Sequence, residues 1–259
     1  MSTAPARSFT ADRLPVRIFA SLPDLAAAAA DDAAQVLTTA IAQRGRARAI
    51  IATGNSQDLF LDQLTRRPGI DWKKVELFHM DEYLGMPMTH RASFRKYLKE
   101  RVFDRVNPAQ AHYLEGDALE PLKAIRAYAA ALASAPIDLC CLGIGENGHI
   151  AFNDPDVADF NDPEPIKIVK LDEKCRLQQV GEGHFPSIEA VPSYAITLTV
   201  PALCRVGRMI AVVPERRKAE AVKASLEGPI TPRCPGSFLR QQAHCTLYLD
   251  PESASLLRK

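Results

Sequence analysis

The chain has 259 residues, 47% of them hydrophobic, and 32 basic residues nearly balance 31 acidic ones, leaving a formal net charge of +1. This is enough apolar material for one large α/β domain, and the charge balance predicts no broad attraction to nucleic acid or to a membrane surface. A small, local basic pocket for an anion remains compatible with it. The stretch 1–13 is polar and has no apolar signal core, and the alanine-rich run 25–34 carries Asp31 and Asp32, so neither reads as a signal peptide or a membrane span. Strands are predicted at Val16–Ala20, Arg48–Thr53, Val75–His79 and Ile137–Gly143. Helices are predicted between them at Asp24–Gln43, Ser56–Thr65, Ser93–Arg101 and Leu119–Ala133. The second half continues with strands at Ile166–Lys170, Tyr194–Thr199, Arg208–Pro214 and His244–Asp250, and with helices at Pro201–Cys204 and Glu215–Leu226. The alternation predicts a mostly parallel sheet covered by helices. The continuous apolar run Ile137–Gly143 is what a strand buried on both faces requires.

Six cysteines, Cys140, Cys141, Cys175, Cys204, Cys234 and Cys245, form no CxxC pair and no zinc-like Cys/His spacing. They read as buried, reduced thiols of a cytoplasmic protein. No repeat or linker interrupts the chain, so 1–259 reads as one domain. Its least regular stretch, Pro155–Pro165, is rich in Pro, Asp and Asn and reads as a surface loop within a lid of about 155–192.

Open α/β sheets bind ligands at the carboxyl ends of their strands, so the residues just after each strand carry the information. Thr53-Gly54-Asn55-Ser56 follows one strand and precedes a helix. It suits an anion at a helix N-terminus, and equally a glycine turn with an N-cap. Asp81 and Glu82 follow Val75–His79; they supply a general base or are solvated loop charges. The run from Leu142 to Asp154, LGIGENGHIAFND, sets three glycines after a buried strand and delivers His149, with Asn147 before it and Asp154 after it. Histidine titrates near neutrality and a neighbouring carboxylate orients it. Arg216, Arg217 and Lys218 open a helix after the strand at 208–214. A lysine there reaches an anion over the strand end, or is one more solvated charge.

At these segments the chain resembles the glucosamine-6-phosphate deaminase/isomerase family. FHMDEYLG is similar to that family's MDEY motif and LGIGENGHIAFNDP to its GxGxDGHIAFNEP motif; the likeness is colinear through YAITLTVPAL and ERRKAEAVKASLEGPIT and spans about residues 16 to 255. The resemblance implies a three-layer Rossmann-like fold, no obligatory cofactor or metal, and a deaminase-type hydrolase or isomerase of amino-sugar catabolism. Its reaction would convert an amino-sugar 6-phosphate to fructose 6-phosphate and ammonia. The implied partner is the small amino-sugar phosphate, with a homo-oligomer compatible and neither nucleic acid nor membrane. By the resemblance, Asp81 moves the proton between C2 and C1, and His149 opens the ring, oriented by Asn147 and Asp154. Thr53, Gly54, Asn55, Ser56, Gly148 and Lys218 hold the sugar phosphate. The lid reads CRLQQVGEGHF, without the arginine-bearing pattern of better-known members, so His184 or Arg176 is expected at the phosphate. Asp154 stands where Glu is usual and is one methylene shorter, so a looser or water-bridged contact to His149 is expected. The alternatives are a 6-phosphogluconolactonase-like hydrolase, disfavoured by the Ile150-Ala151-Phe152-Asn153 continuation, and a non-catalytic sugar-phosphate-binding regulator.

Overall fold

A computed structural model describes residues 4–258; the first three residues of the polar N-terminal stretch and Lys259 lie outside it. In chain order the strands are β1 (Arg7–Ala11), β2 (Leu14–Ile18), β3 (Ala47–Ile51), β4 (Val75–His79), β5 (Asp81–Tyr83), β6 (Gln110–Ala111), β7 (Leu139–Leu142), β8 (Ile166–Lys170), β9 (Tyr194–Leu198), β10 (Arg208–Val213) and β11 (Cys245–Leu249). The α-helices are α1 (Leu22–Arg44), α2 (Asp58–Thr65), α3 (Phe94–Leu98), α4 (Asp104–Val106), α5 (Pro121–Ala133), α6 (Glu173–Gly181), α7 (Val200–Cys204) and α8 (Ala219–Glu227). A single wide turn, Lys99–Phe103, joins α3 to α4.

Eight strands form one sheet in the order β1-β2-β11-β10-β7-β3-β4-β6. It is parallel except for the β1–β2 hairpin at its edge. Side chains on a strand alternate between faces, and the two cores follow that period. On β7, Cys140 and Leu142 enter one core, while Leu139 and Cys141 enter the other. The second core is completed by α1, which lays Ala26, Ala29, Ala30, Ala33 and Leu37 on the sheet. Its ends are set locally: Ser21 Oγ accepts the Asp24 N–H, and Gly45, with φ of 75°, closes the last turn onto the Ile41 carbonyl.

The parallel sheet is narrower than the sequence reading expects. β8 and β9 leave it and form, with β5, a three-stranded antiparallel sheet. The chain passes from one sheet to the other at Met80, whose carbonyl accepts the Leu198 N–H. Asp81 therefore starts a new strand, opposite Thr197, at the seam between the sheets. The hairpin strand β1 is a further element that the polar N-terminal reading did not anticipate. No helix among the described residues is long and apolar enough to cross a membrane.

Candidate active site

The neighbouring strands β10, β7, β3 and β4 end on one rim, and the segments that follow them converge on a cleft of about 650 Å³. Thr53 to Ser56, Asp81, His149 and Lys218 all line it. The fourth wall is the C-terminal end of α6, which contributes Gln178, Gln179 and Glu182.

Asp81 and Glu82 are adjacent in sequence and opposite in role. Glu82 is fully buried and saturated with donors. Its carboxylate accepts the Ser93 hydroxyl at 2.7 Å, the Arg95 and Phe94 N–H groups at 3.0 and 3.2 Å, and the Arg95 Nε at 3.3 Å. It fixes the start of α3. Asp81 faces the cleft, and its buried Oδ1 has no hydrogen-bond partner. Burial, with the Glu82 charge added, raises its pKa well above the usual carboxylate range. Its backbone is pinned from below. The His79 imidazole accepts the Leu114 N–H at Nε2 and lies 2.9 Å from the Asp81 carbonyl at Nδ1. That arrangement requires the neutral Nδ1–H tautomer, in keeping with a burial-driven fall of the His79 pKa to about 3.

The glycine-rich turn holds His149 by close approach. A Cβ at Gly145 would lie 2.1 Å from His149 Nε2, so the ring rests on a position only hydrogen can fill. His149 Nδ1 stands 3.0 Å from Asp154 Oδ1, off the N–H axis of an aligned bond. The shorter Asp154 thus stands within contact distance of the ring but makes no aligned hydrogen bond to it, so the contact is direct in distance and loose in geometry. Burial opposes ionisation of Asp154, but His149, Asn147 and the Asp172 N–H outweigh it and hold the pKa below the ordinary value. Asn147 stands at the D position of the GxGxDGHIAFNEP motif, and its contacts suit an amide there. Its Nδ2 donates to Asp154 Oδ1 at 3.0 Å and to Asp172 Oδ2 at 2.7 Å, while its Oδ1 accepts the His149 N–H. A carboxylate there would face two others; an amide joins them. Asn147 and Asp154 do not line the cleft; they meet His149 at its backbone N–H and at Nδ1.

Two sequence expectations need correction. Gly148 does not line the cleft: it turns the chain with φ of 87°, packs on Cys234, and gives its carbonyl to the Gly236 N–H. His184 does not line it either. Its Nε2 lies 3.3 Å from the Glu182 carboxylate, one side chain away from the cleft. Arg176 is spent on the Ile188 and Val191 carbonyls inside the 155–192 segment.

Lys218 is buried at the cleft wall, and among the described residues no carboxylate pairs with it. Burial, with Arg217 beside it, lowers its pKa. Arg217 is the residue that sequence reasoning passed over. It pairs with Glu182 and Glu215, lies 3.3 Å from Glu146, and donates to Ser56 Oγ at 3.1 Å. Gln57 was also missed. It lines the cleft from the first turn after β3 and donates to the Val212 carbonyl.

Among the described residues, His149, Asp154 and Cys175 bring three metal-type donors within 4.8 Å of one another. They are poorly suited to a cation. Both Asp154 oxygens already accept hydrogen bonds, and burial drives the Cys175 thiol well above its usual pKa, so it stays protonated.

A helix-covered parallel sheet, with a cleft over its carboxyl ends lined by a carboxyl and a histidine, defines a three-layer Rossmann-like α/β protein. The family model described as glucosamine-6-phosphate isomerases/6-phosphogluconolactonase matches residues 20–248, and the chain belongs to that family. It is similar to the glucosamine-6-phosphate deaminase of Exiguobacterium sibiricum, at 34% identity over 209 residues and 80% of each chain. A Bacillus cereus glucosamine-6-phosphate deaminase is also 34% identical, over 80% of this chain and 76% of that one. Among solved structures, a monomeric glucosamine-6-phosphate deaminase superposes with a TM-score of 0.84 at 28% identity, covering 93% of this chain and 99% of that one. A 6-phosphogluconolactonase from Shewanella baltica superposes at 0.76 with 17% identity, over 93% and 100% of the two chains, and shares the fold.

Proposed function

We propose that the chain is a glucosamine-6-phosphate deaminase of amino-sugar metabolism. The observation that carries this reading is the cleft itself. An unpartnered, buried carboxyl (Asp81) and a carboxylate-backed histidine (His149) share it with an anion loop (Thr53 to Ser56) and an unpaired lysine (Lys218). The similarity to named deaminases supports the same substrate class.

In this reading Lys218 and the 53–56 loop hold the phosphate, and the sugar lies toward Asp81. His149 shuttles the proton that opens the pyranose ring, an imidazole nitrogen being able both to accept and to donate one. Asp81 removes the C2 proton of the open aldose and returns it to C1, while O1 takes up a proton and the amino nitrogen gives one up, so the C1–O double bond becomes a C2–N double bond. Water then adds to C2, and ammonia leaves with the proton it needs, so fructose 6-phosphate is the co-product. The segment 155–192 serves as a lid, with the end of α6 excluding water from the base.

The deciding experiment is a coupled assay of purified protein with glucosamine 6-phosphate and no added metal. Ammonia and fructose 6-phosphate in equal amounts are expected. No ammonia from any hexosamine 6-phosphate would remove the assignment, and lactone hydrolysis without ammonia would replace it with the lactonase activity of the family's other branch.

A further inference from the structure

Next to the 53–56 loop lies an ionic arrangement that the proposed reaction alone does not call for, centred on Arg217, which does not itself line the cleft but bonds Ser56, which does. One guanidinium, that of Arg217, faces three carboxylates from three segments: Glu215 beside it, Glu146 in the glycine-rich turn, and Glu182 after α6. Glu182 is the most deeply placed of the three. Its side chain is 6% exposed, against 35% for Glu215 and 37% for Glu146. It also takes a 2.7 Å bond from Gln178 Nε2. Burial works against its ionisation, yet His184, Arg217 and Gln178 hold its pKa at about 2. A full negative charge therefore lines the same cleft as Ser56 and Lys218.

An incoming phosphate on Ser56 and Lys218 arrives next to that charge. Arg217 already reaches Ser56 Oγ, so its guanidinium lies within one hydroxyl of the anion loop. Like charges in a partly buried site repel strongly, while a guanidinium fork fits carboxylate and phosphate equally well. Exchanging one anion for the other keeps the hydrogen bonds of Arg217 and relieves the repulsion.

We propose that Arg217 is a further phosphate-binding residue of this site, and that Glu182 is an internal carboxylate holding it in place until the substrate phosphate displaces it. The inference rests on the sugar-phosphate reading above. Glu182 closes the segment that forms the fourth wall. The segment's other ties include Asn55 Nδ2 donating to the Glu182 carbonyl at 3.4 Å, the Tyr83 hydroxyl donating to Gln179 Oε1 at 2.9 Å, the Glu146 N–H donating to Gln178 Oε1 at 3.0 Å, and the Arg91 guanidinium donating to the Gly183 carbonyl at 2.8 Å. Binding of the phosphate thus releases the Arg217–Glu182 ion pair of this wall and leaves these hydrogen bonds in place.

Calorimetric titration of the full-length protein with inorganic phosphate, and with glucosamine 6-phosphate, tests this. Arg217→Gln is expected to weaken both ligands about 10- to 150-fold, the scale of a charge-assisted contact. Glu182→Gln is expected to tighten inorganic phosphate roughly 3- to 10-fold, the scale of one partly screened like charge. The double variant is expected to follow Arg217→Gln. A purely structural clasp predicts the reverse for Glu182→Gln, so phosphate bound no more tightly than by wild type would overturn the proposal. Thermal melts accompany each titration; if Glu182→Gln does not fold, unchanged phosphate binding by Arg217→Gln overturns it alone. Ammonia release by the wild type is measured alongside. Its absence with the phosphate pattern intact sinks only the deaminase reading, and normal release with a flat phosphate pattern sinks only the role of Arg217.

Discussion

The two ends of the cleft are built on opposite electrostatic plans. At the Asp81 end the carboxyl is buried and left without a partner at Oδ1, while the His79 ring meets only the Asp81 backbone carbonyl and Tyr128 bonds the His79 backbone. Its pKa is driven up. At the Arg217 end the carboxylate is buried but surrounded by donors, and its pKa is driven down to about 2. Desolvation acts on both; what differs is whether hydrogen bonds and opposite charges answer it. An unanswered carboxyl is a stronger base, at a cost in stability. An answered one is an inert anion that holds a cation in position.

The largest expected effect breaks the first plan. Asp81→Asn keeps shape and removes the base, so turnover should fall at least 10²- to 10⁴-fold, read as ammonia release and as loss of deuterium exchange at C2. The same variant should be more stable than wild type. The folded pKa of Asp81 lies above its unfolded value of about 3.9. Ionising it therefore costs stability as pH rises from about 4 through the raised pKa. Turnover should rise with pH over the range in which stability falls. A melting temperature at pH 7 that is lower for Asp81→Asn would contradict the unpartnered carboxyl. Glu182 has the opposite sign. Its stabilisation is present above its unfolded pKa of about 4.3 and is lost as pH falls through about 2.

His149→Gln should cost about 10²- to 10⁴-fold on cyclic substrate and recover in part on an analogue locked in the open chain. Equal loss on both would place His149 in the isomerisation as well. Next in size, Lys218→Ala should raise the Michaelis constant about 10- to 150-fold with the fold intact. An unchanged constant would show that the lysine does not meet the phosphate. The smallest kinetic effect is expected from Glu82→Gln. That change weakens a carboxylate that fixes α3, so it should destabilise by about 1.5–3 kcal/mol while turnover stays within tenfold. Turnover lost as fully as in Asp81→Asn, with stability unchanged, would reverse the assignment of the two carboxyls.

Much of this cleft was legible in the chain. The alternation of strands and helices and the turns after β3, β4, β7 and β10, which carry Thr53, Asp81, His149 and Lys218, follow from local patterns, because hydrophobic period and turn chemistry act over a few residues. The motif resemblance named the family that the comparisons then showed. The separation of β5, β8 and β9 into a second sheet was not legible. A strand's own residues give its period, whereas its partner is chosen by the rest of the chain.

The same boundary runs through individual side chains. Local pattern placed Asp81 beside Glu82, and Arg217 beside Lys218, without telling the members of either pair apart; only the family resemblance picked Asp81 and Lys218. The tertiary structure decided that Glu82 meets Ser93 and Arg95 while Asp81 meets an open cleft. It also decided that Arg217 meets Glu182, 35 residues away along the chain, while Lys218 is left unpaired. It set Gly148 and His184 outside the cleft and made Asn147 the bridge between two carboxylates. The physical reason is range. Propensity, period and capping are properties of neighbours in sequence, but basicity and anion binding depend on which distant donors, charges and apolar groups surround an atom, and only folding brings those together.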